Sequence, residues 1–236
     1  MKRSTLGWLG LISALAVLVA YQTHQTSAER SAAFAAEAQV PTVDPGVDVL
    51  AGVTVLPNRI RSGDYRRAAF GDSWTDDNSA PGGRNGCDTR NDILTRDLIE
   101  KSFTAITRCP LAVATGTLHD PYTNAVVAFT RGNQTGASVQ IDHLVPLAYA
   151  WDQGARNWTD EKRIRFANDP ANLLAVNGPT NQDKGDGEPA VWMPPNSAFH
   201  CQYAVQFIAV LRGYGLPVDA PSVPALRQAA GTCPAG

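Results

Sequence analysis

The stretch VQIDHLVPL, residues 139–147, decides how this chain is expected to fold. Its first residues alternate between apolar and polar side chains, which is typical of a half-buried strand. That strand would deliver Asp142 and His143 at its end, and Pro146 then suits the first turn of a helix. An isolated Asp-His pair is weak evidence for a site, because most such pairs are ion pairs at strand ends. The interpretation therefore depends on the residues around it.

A second strand and a short helix are expected further along the chain. Residues 172–176, NLLAV, have the apolar character of a short buried strand. Gly178-Pro179 is expected to break the chain, and Thr180 is expected to cap a helix. That helix would carry Asn181 and, one turn later, Lys184. Together with the first strand, this order predicts a strand–strand–helix metal finger.

The residue types of this finger suit the hydrolysis of a phosphate ester. Asp142 supplies a carboxylate and Asn181 an amide oxygen, and hard ions such as Mg²⁺ prefer oxygen ligands. So few protein ligands would leave room for substrate oxygens and water. A neutral His143 beside the ion can take a proton from water near pH 7. The metal would then stabilise charge on the phosphate and on the leaving oxygen.

In these motifs the chain resembles the HNH, or His-Me finger, endonucleases. It looks most similar to exported HNH proteins related to the C-terminal nuclease domain of GmrSD-type restriction enzymes. The resemblance covers most of the chain after its N-terminal segment. It rests on QIDHLVPL at 140–147, NDPANLLAV at 168–176, NQDKGDGEPAVW at 181–192, FGDSW at 70–74, CDTRNDIL at 87–94 and LHDPYTNAVVAF at 118–129. It implies an endonuclease that cuts DNA, with RNA as a second candidate substrate.

The resemblance also implies a role for each residue of the finger. In the family the histidine after the metal-binding acid is the general base, which implies His143 as base and Asp142 as metal ligand. The middle asparagine braces the catalytic loop, which implies Asn172. The last metal position, histidine in the founding pattern, is Asn181 here, and an amide at this position favours Mg²⁺ or Mn²⁺ over zinc. Lys184 would either face the phosphate or brace the acidic ligand.

The segments before the finger are expected to combine a helix with strands. Residues 88–103 have apolar side chains at helical spacing and predict one helix. Residues 111–118 and 125–130 are expected to form two strands joined by a turn. Arg131, just after the second strand, would either contact substrate phosphate or be an ordinary surface charge. These elements predict a single α+β domain, in which further helices elaborate the finger.

The N-terminal residues are typical of an exported protein. Residues 1–28 predict a signal peptide, because Lys2 and Arg3 precede an apolar run that is short for a permanent membrane span. A retained signal anchor is the alternative. Residues 29–55 are interpreted as a linker, and 56–236 as the nuclease domain. We therefore expect a secreted monomer with no stable membrane association after cleavage.

The four cysteines are well separated and form no C-x-x-C motif, which argues against a zinc ribbon or a thioredoxin-type redox site. An even number behind an export signal favours two disulfides. Sequence alone allows three pairings. We favour Cys87–Cys109 and Cys201–Cys233, because each pair brackets one local unit. Buried free thiols are the alternative.

The charge balance neither supports nor opposes a nuclease. The chain has 20 Lys and Arg residues against 22 Asp and Glu, unlike the strongly basic profile of a tight nucleic-acid binder. A local basic groove is sufficient for an enzyme that turns over. An exported module that binds without cleaving is the second hypothesis. A GDS-type ester hydrolase, suggested by residues 70–73, is the third, but no histidine has the aspartate three positions before it that this chemistry needs.

Overall fold

The computed structural model describes residues 40–132 and 137–236. A compact unit extends from Pro41 to Gly236. The predicted signal peptide lies outside the described residues, as do residues 29–39 of the predicted linker. No helix within the described residues is long and apolar enough to cross a membrane.

Helices and short sheets share the described residues. The helices are α1 Thr89–Asp97, α2 Leu147–Asp152, α3 Asp160–Asn168, α4 Gly178–Lys184, α5 His200–Tyr214 and α6 Ser222–Ala230. The strands are β1 Val55–Leu56, β2 Ile99–Ile106, β3 Cys109–His119, β4 Val126–Thr130, β5 Val139–His143, β6 Leu173–Asn177 and β7 Val218–Asp219. The predicted α+β class is therefore confirmed.

The strand–strand–helix finger consists of β5, β6 and α4. The two strands pair antiparallel, with Asp142 opposite Leu174 and His143 opposite Leu173. Helix α4 follows β6 directly, so its first turn lies at the far end of the strand pair from His143. Helices α2 and α3 occupy the connection between the two strands. The predicted strand–strand–helix order is thus present, with helices inserted into it.

Two hydrophobic cores support this finger. One lies between α1, the antiparallel meander β2–β3–β4 and the finger strands. The larger one is formed mainly by the helices on the other side. Its largest fully buried side chains are aromatic: Tyr122, Tyr149, Tyr203, Phe70, Phe166 and Phe207. Burying such rings removes much apolar area from water, which is the dominant favourable term in folding.

The predicted helix over residues 88–103 is wrong in its second half. The Asp88 carboxylate caps α1 by accepting a hydrogen bond from the Asn91 backbone N–H at 2.8 Å, but the helix ends at Asp97. Leu98 has extended backbone and is buried, whereas Ile99 begins β2 and is 48% exposed. The prediction extended the helix over both residues because the apolar positions continue without a break past the point where the helix ends. Pairing of β2 with β3 prevails over that local pattern.

The start of α4 also differs from the prediction. Gly178-Pro179 lies inside the first turn and does not break the chain before it. Proline suits this position because its missing N–H has no partner there. The cap is Asn177, whose side-chain oxygen accepts from the Thr180 backbone N–H at 3.2 Å. A Cβ at position 178 would lie 2.3 Å from the Ala137 carbonyl oxygen, so glycine permits this close approach.

Residues 41–55 pack onto the compact unit, although the sequence assigned them to a linker. Leu50 is buried in the larger core, and the Val43 N–H donates to the Pro234 carbonyl at 3.0 Å. Val55 pairs with Val218 in a short parallel sheet. Isolated apolar residues without helical or strand period give no sequence signal for such packing. The compact unit therefore begins well before the predicted boundary at Leu56.

Both favoured disulfides are present. Cys87–Cys109 joins the residues before α1 to the start of β3, and Cys201–Cys233 joins α5 to the C-terminal residues. Within the described residues no cysteine is free. Each bond thus closes one local unit, as predicted.

Candidate active site

A cleft of about 310 Å³ opens where the end of β5 meets α4. Asp142, His143 and Asn181 all line it. Arg67 and Gln140 line it as well. Three of the residues singled out in the sequence therefore share one cavity, although α2 and α3 separate the strand from the helix along the chain.

The imidazole of His143 is held in one orientation. Its Nε2 lies 2.8 Å from the Ala167 carbonyl oxygen. A carbonyl oxygen only accepts, so Nε2 carries the proton and Nδ1 keeps its lone pair. Trp74 stacks on the ring, with centroids 5.4 Å apart and planes 12° from parallel. Burial lowers the pKa of His143 to about 3, so the side chain is neutral near pH 7.

The Asp142 carboxylate is fixed through one of its two oxygens. The Tyr122 hydroxyl donates to Oδ2 at 2.5 Å, and the Lys184 ammonium donates to the same atom at 2.5 Å. Both donors are buried, and charge-assisted bonds of this kind are about twice as strong as neutral ones. Within the described residues no hydrogen bond to Oδ1 is found, so that oxygen is available to a ligand in the cleft.

Lys184 lies behind Asp142 and does not line the cleft. Besides Asp142, its Nζ donates to the His143 carbonyl oxygen at 2.7 Å. The side chain is buried, and burial lowers the pKa of its ammonium against the opposing effect of Asp142. Of the two roles considered for Lys184, this geometry suits bracing of the acid and leaves no access to a phosphate.

Asn181 presents an oxygen from the first half of α4. Its Nδ2 donates to the Gln140 Oε1 at 2.9 Å, which leaves the amide oxygen without a described partner. With Asp142 Oδ1, the cleft thus offers two hard oxygen donors. Within the described residues no group of three or more His, Cys, Asp or Glu side chains is placed to bind a metal. The donor set therefore fits an ion that keeps most of its waters, as Mg²⁺ and Mn²⁺ do.

Asn172 fixes the turn that follows His143. Its side-chain oxygen accepts from the Val145 N–H at 2.8 Å, and its Nδ2 donates to the Val145 carbonyl at 3.2 Å. Its own carbonyl accepts from the Leu144 N–H at 2.9 Å. The residue is fully buried and lies outside the cleft lining. This is the geometry of a brace, the role that the resemblance implies.

Arg67 and Arg131 lie near the site, the first in the cleft and the second in a neighbouring groove. Arg131, for which phosphate contact and an ordinary surface charge are the two alternatives, lines a neighbouring groove and not the cleft itself. Arg67, which the sequence did not single out, lines the cleft and lies 5.9 Å from the Trp74 ring centroid. Its charge is among the causes that lower the pKa of His143. Within residues 40–132 and 137–236, Arg67 makes no ion pair.

Sequence reasoning also missed Tyr122 and Trp74. Both lie in stretches that carry the family resemblance, at 118–129 and 70–74, and this was the available signal. Within these stretches, neither Tyr122 nor Trp74 belongs to a metal-binding or nucleophilic pattern. Their contribution is visible only once the chain is folded, because each contacts its partner across a long sequence separation.

A buried charge network holds one wall of the cleft. The Arg59 guanidinium, 4% exposed, pairs with Asp152 at 2.7 Å, Asp186 at 2.8 Å and Glu188 at 2.5 Å. Asp186 lines the cleft just after α4. Arg61, which is 59% exposed, pairs with the same Asp186. Arg59 therefore joins the N-terminal segment to α2 and to the loop beside the site.

The geometry does not form the triad of an ester hydrolase. Ser73 lies in the loop beside His143, and the two line one small cavity. The hydrogen bond that fixes His143 goes to the Ala167 carbonyl, whereas a triad needs a carboxylate there. Asp142 instead binds Tyr122 and Lys184.

Comparison with known proteins shows the family of this chain. The fold and site define an HNH-type nuclease domain. More particularly, the chain belongs to the family described as GmrSD restriction endonucleases, C-terminal domain, whose model matches residues 88–220. It is 34% identical over 197 residues to an "Uncharacterized secreted protein" of the fungus Arthroderma benhamiae (strain ATCC MYA-4681 / CBS 112371), covering 82% of this chain and 87% of the relative. No solved structure matches.

Proposed function

We propose that this protein is an exported, metal-dependent endonuclease that hydrolyses internal phosphodiester bonds of DNA, with RNA as the second substrate to compare. The observation that carries the proposal is the shared cleft of Asp142, His143 and Asn181. A neutral base and two hard oxygen donors in one cavity are what water-dependent cleavage of a phosphodiester requires.

His143 acts as the general base. Its Nδ1 takes a proton from the attacking water, while the Nε2–H bond to the Ala167 carbonyl fixes the ring. Stacking on Trp74 prevents the ring from turning about that bond. Asn172 holds the following turn, so that the backbone beneath the ring does not shift. A positioned base of this kind typically contributes about 10²–10⁴-fold to the rate.

Asp142 Oδ1 and the Asn181 amide oxygen would hold the metal, Mg²⁺ or Mn²⁺. When bound, the ion stabilises negative charge on the phosphate and on the leaving oxygen. Lys184 and Tyr122 are positioning residues, because they hold Oδ2 and so aim Oδ1 at the cleft. The Gln140 side chain orients the amide of Asn181 in the same way.

Arg67 binds a non-bridging oxygen of the substrate phosphate. It is an exposed guanidinium at the wall of the cleft, and guanidinium geometry matches phosphate. Its nearness to the Trp74 ring gives the side chain a preferred direction.

Export is supported by the two disulfides and by the relative named as secreted. Disulfides of this kind persist in oxidising compartments. We propose that the enzyme acts outside the cell, as a monomer, with nucleic acid as its substrate.

A plasmid-cleavage assay tests the proposal. Purified protein should cut supercoiled plasmid with Mg²⁺ or Mn²⁺, stop in EDTA, and recover poorly with zinc. His143→Ala should lower the rate about a hundredfold or more. Asp142→Ala should abolish rescue by added metal, and Asn181→Ala should be milder because the charged ligand remains.

His200→Ala is the matched control. Like His143, His200 lies with its Nε2 2.8 Å from a backbone carbonyl, that of Pro194, but it does not line the cleft. It should leave cleavage unchanged. Full cleavage by wild-type protein in EDTA would contradict a metal-dependent mechanism. Binding of DNA without any cleavage would favour the non-catalytic module.

A further inference from the structure

A second groove adjoins the candidate active site. Gln140 lines both the cleft and this groove, which has a volume of about 490 Å³. Trp74 lines the groove as well and stacks on His143, so the groove begins directly beside the general base. Its charged lining residues are Arg90 and Arg131.

Arg131 is fixed by neutral acceptors. Its Nε–H donates to the Val113 carbonyl at 2.7 Å, and Nη2 donates to the Asn91 side-chain oxygen. Within residues 40–132 and 137–236 no carboxylate pairs with it. Two of its donors are thus used to orient the guanidinium, while its positive charge is not neutralised.

Arg90 places a second guanidinium in the same groove. Its Nη2 donates to the Val139 carbonyl at 2.9 Å. Burial lowers the pKa of Arg90, the charge of Arg131 lowers it further, and Asp88 opposes both effects. The two arginines are therefore close enough to repel each other. An anion in the groove would relieve that repulsion.

We infer that this groove binds the phosphates of a nucleic-acid strand next to the bond that is cut, so that a polynucleotide binds more tightly than a small phosphodiester that enters the cleft alone. The inference rests on the proposed function, because the proposed function places the phosphate of the bond that is cut in the cleft. A strand whose scissile phosphate lies at His143 can pass Gln140 into the groove of the two arginines, because Gln140 lines both cavities. Phosphate contacts of this kind position a strand without reading its sequence.

The test measures binding separately from cleavage. Fluorescence anisotropy gives the Kd of a labelled single-stranded 12-mer in EDTA, for the wild type and for Arg131→Gln. The variant should bind about tenfold more weakly, and the slope of log K against log salt should become shallower by about 0.7 to 1. Arg131→Lys keeps the charge and should keep most of the slope. Arg227→Gln, which changes net charge equally but pairs with Asp48, should have no effect.

A small substrate completes the design. Arg131→Gln should lower cleavage of the 12-mer by a larger factor than hydrolysis of bis(4-nitrophenyl) phosphate, because only the longer substrate extends into the groove. A melting temperature equal to that of the wild type shows that the variant is folded. If Arg131→Gln and Arg90→Gln both bind the 12-mer as tightly as the wild type, the inference is overturned. If the wild type cleaves neither plasmid nor the diester with Mg²⁺ or Mn²⁺, the proposed function is contradicted, while the binding data still decide whether the groove binds the strand.

Discussion

Two buried tyrosines near Asp142 differ in one respect that can be measured. The Tyr122 hydroxyl donates to the Asp142 carboxylate, whereas the Tyr203 hydroxyl has no hydrogen-bond partner within the described residues. Both rings are fully buried and pack against each other, with centroids 6.1 Å apart. Replacing each by phenylalanine removes the same atom from neighbouring places in the same core.

The two substitutions should change stability in opposite directions. A hydrogen bond to a charged group contributes about 1.5–3 kcal/mol, so Tyr122→Phe should destabilise by about 2 kcal/mol. A buried hydroxyl without a partner carries a desolvation cost of about 1–3 kcal/mol, so Tyr203→Phe should stabilise by about 1 kcal/mol. The free energies of unfolding of the two variants should therefore differ by about 3 kcal/mol.

Urea unfolding with the disulfides intact measures this difference. With a slope of about 2 kcal/mol per molar urea, the two midpoints should lie about 1.5 M apart, on either side of the wild type. Titration with Mn²⁺ should show about tenfold weaker binding for Tyr122→Phe, as is typical when a group that orients a metal ligand is lost. Tyr203→Phe should bind Mn²⁺ normally. Equal midpoints and equal metal affinities would refute the role given to Tyr122.

Three further predictions follow from buried groups. Burial lowers the pKa of His143 from an ordinary value near 6.5 to about 3. Between these two pH values His143 is protonated in the unfolded chain but neutral in the folded one. The free energy of unfolding therefore decreases as the pH falls from 6.5 towards 3. The advantage of wild type over His143→Gln in urea should therefore shrink by about 2 kcal/mol from pH 7 to pH 5, and parallel pH curves would contradict this. Arg59→Gln leaves carboxylates buried without their partner and should cost about 3–5 kcal/mol. Arg61→Gln removes an exposed ion pair to the same Asp186 and should cost at most about 1 kcal/mol, measured by thermal unfolding. Equal losses of stability in the Arg59 and Arg61 variants would argue against the network. Each disulfide closes a loop, with sequence separations of 22 and 32, so replacing either pair by serines should cost about 3–4 kcal/mol of unfolding free energy; a loss below 1 kcal/mol would contradict the estimate.

The features that the sequence predicted best are those whose residues lie close together along the chain. Asp142 and His143 end a strand with clear alternation, and Asn181 follows a second apolar run, so the finger and its order were visible. The disulfide pairs were recognisable because each closes a local unit. The roles of these cleft residues in catalysis stay predictions.

What the sequence did not reveal depends on contacts between distant segments. Tyr122 reaches Asp142 from the loop between β3 and β4, and Arg67 enters the cleft from a segment before α1. A lone tyrosine or arginine has no period or spacing that marks it. The helix predicted through Leu98 and Ile99 was wrong for a related reason. The strand that pairs with this segment, β3, lies further along the chain. Tertiary pairing decided each of these positions, and local pattern carries no information about it.

The insertion of α2 and α3 between the two finger strands determines when the cleft can form during synthesis. A ribosome makes the chain from its N-terminus, so Asp142 and His143 emerge well before β6, Asn172 and Asn181. Until the later strand arrives, the earlier one has no partner and closing the long connection costs entropy. A nascent chain that ends between the two strands therefore contains Asp142 and His143 but lacks Asn181, the third of these cleft residues. The cleft that Asp142 and His143 share with Asn181 is therefore completed only after Asn181 has been made.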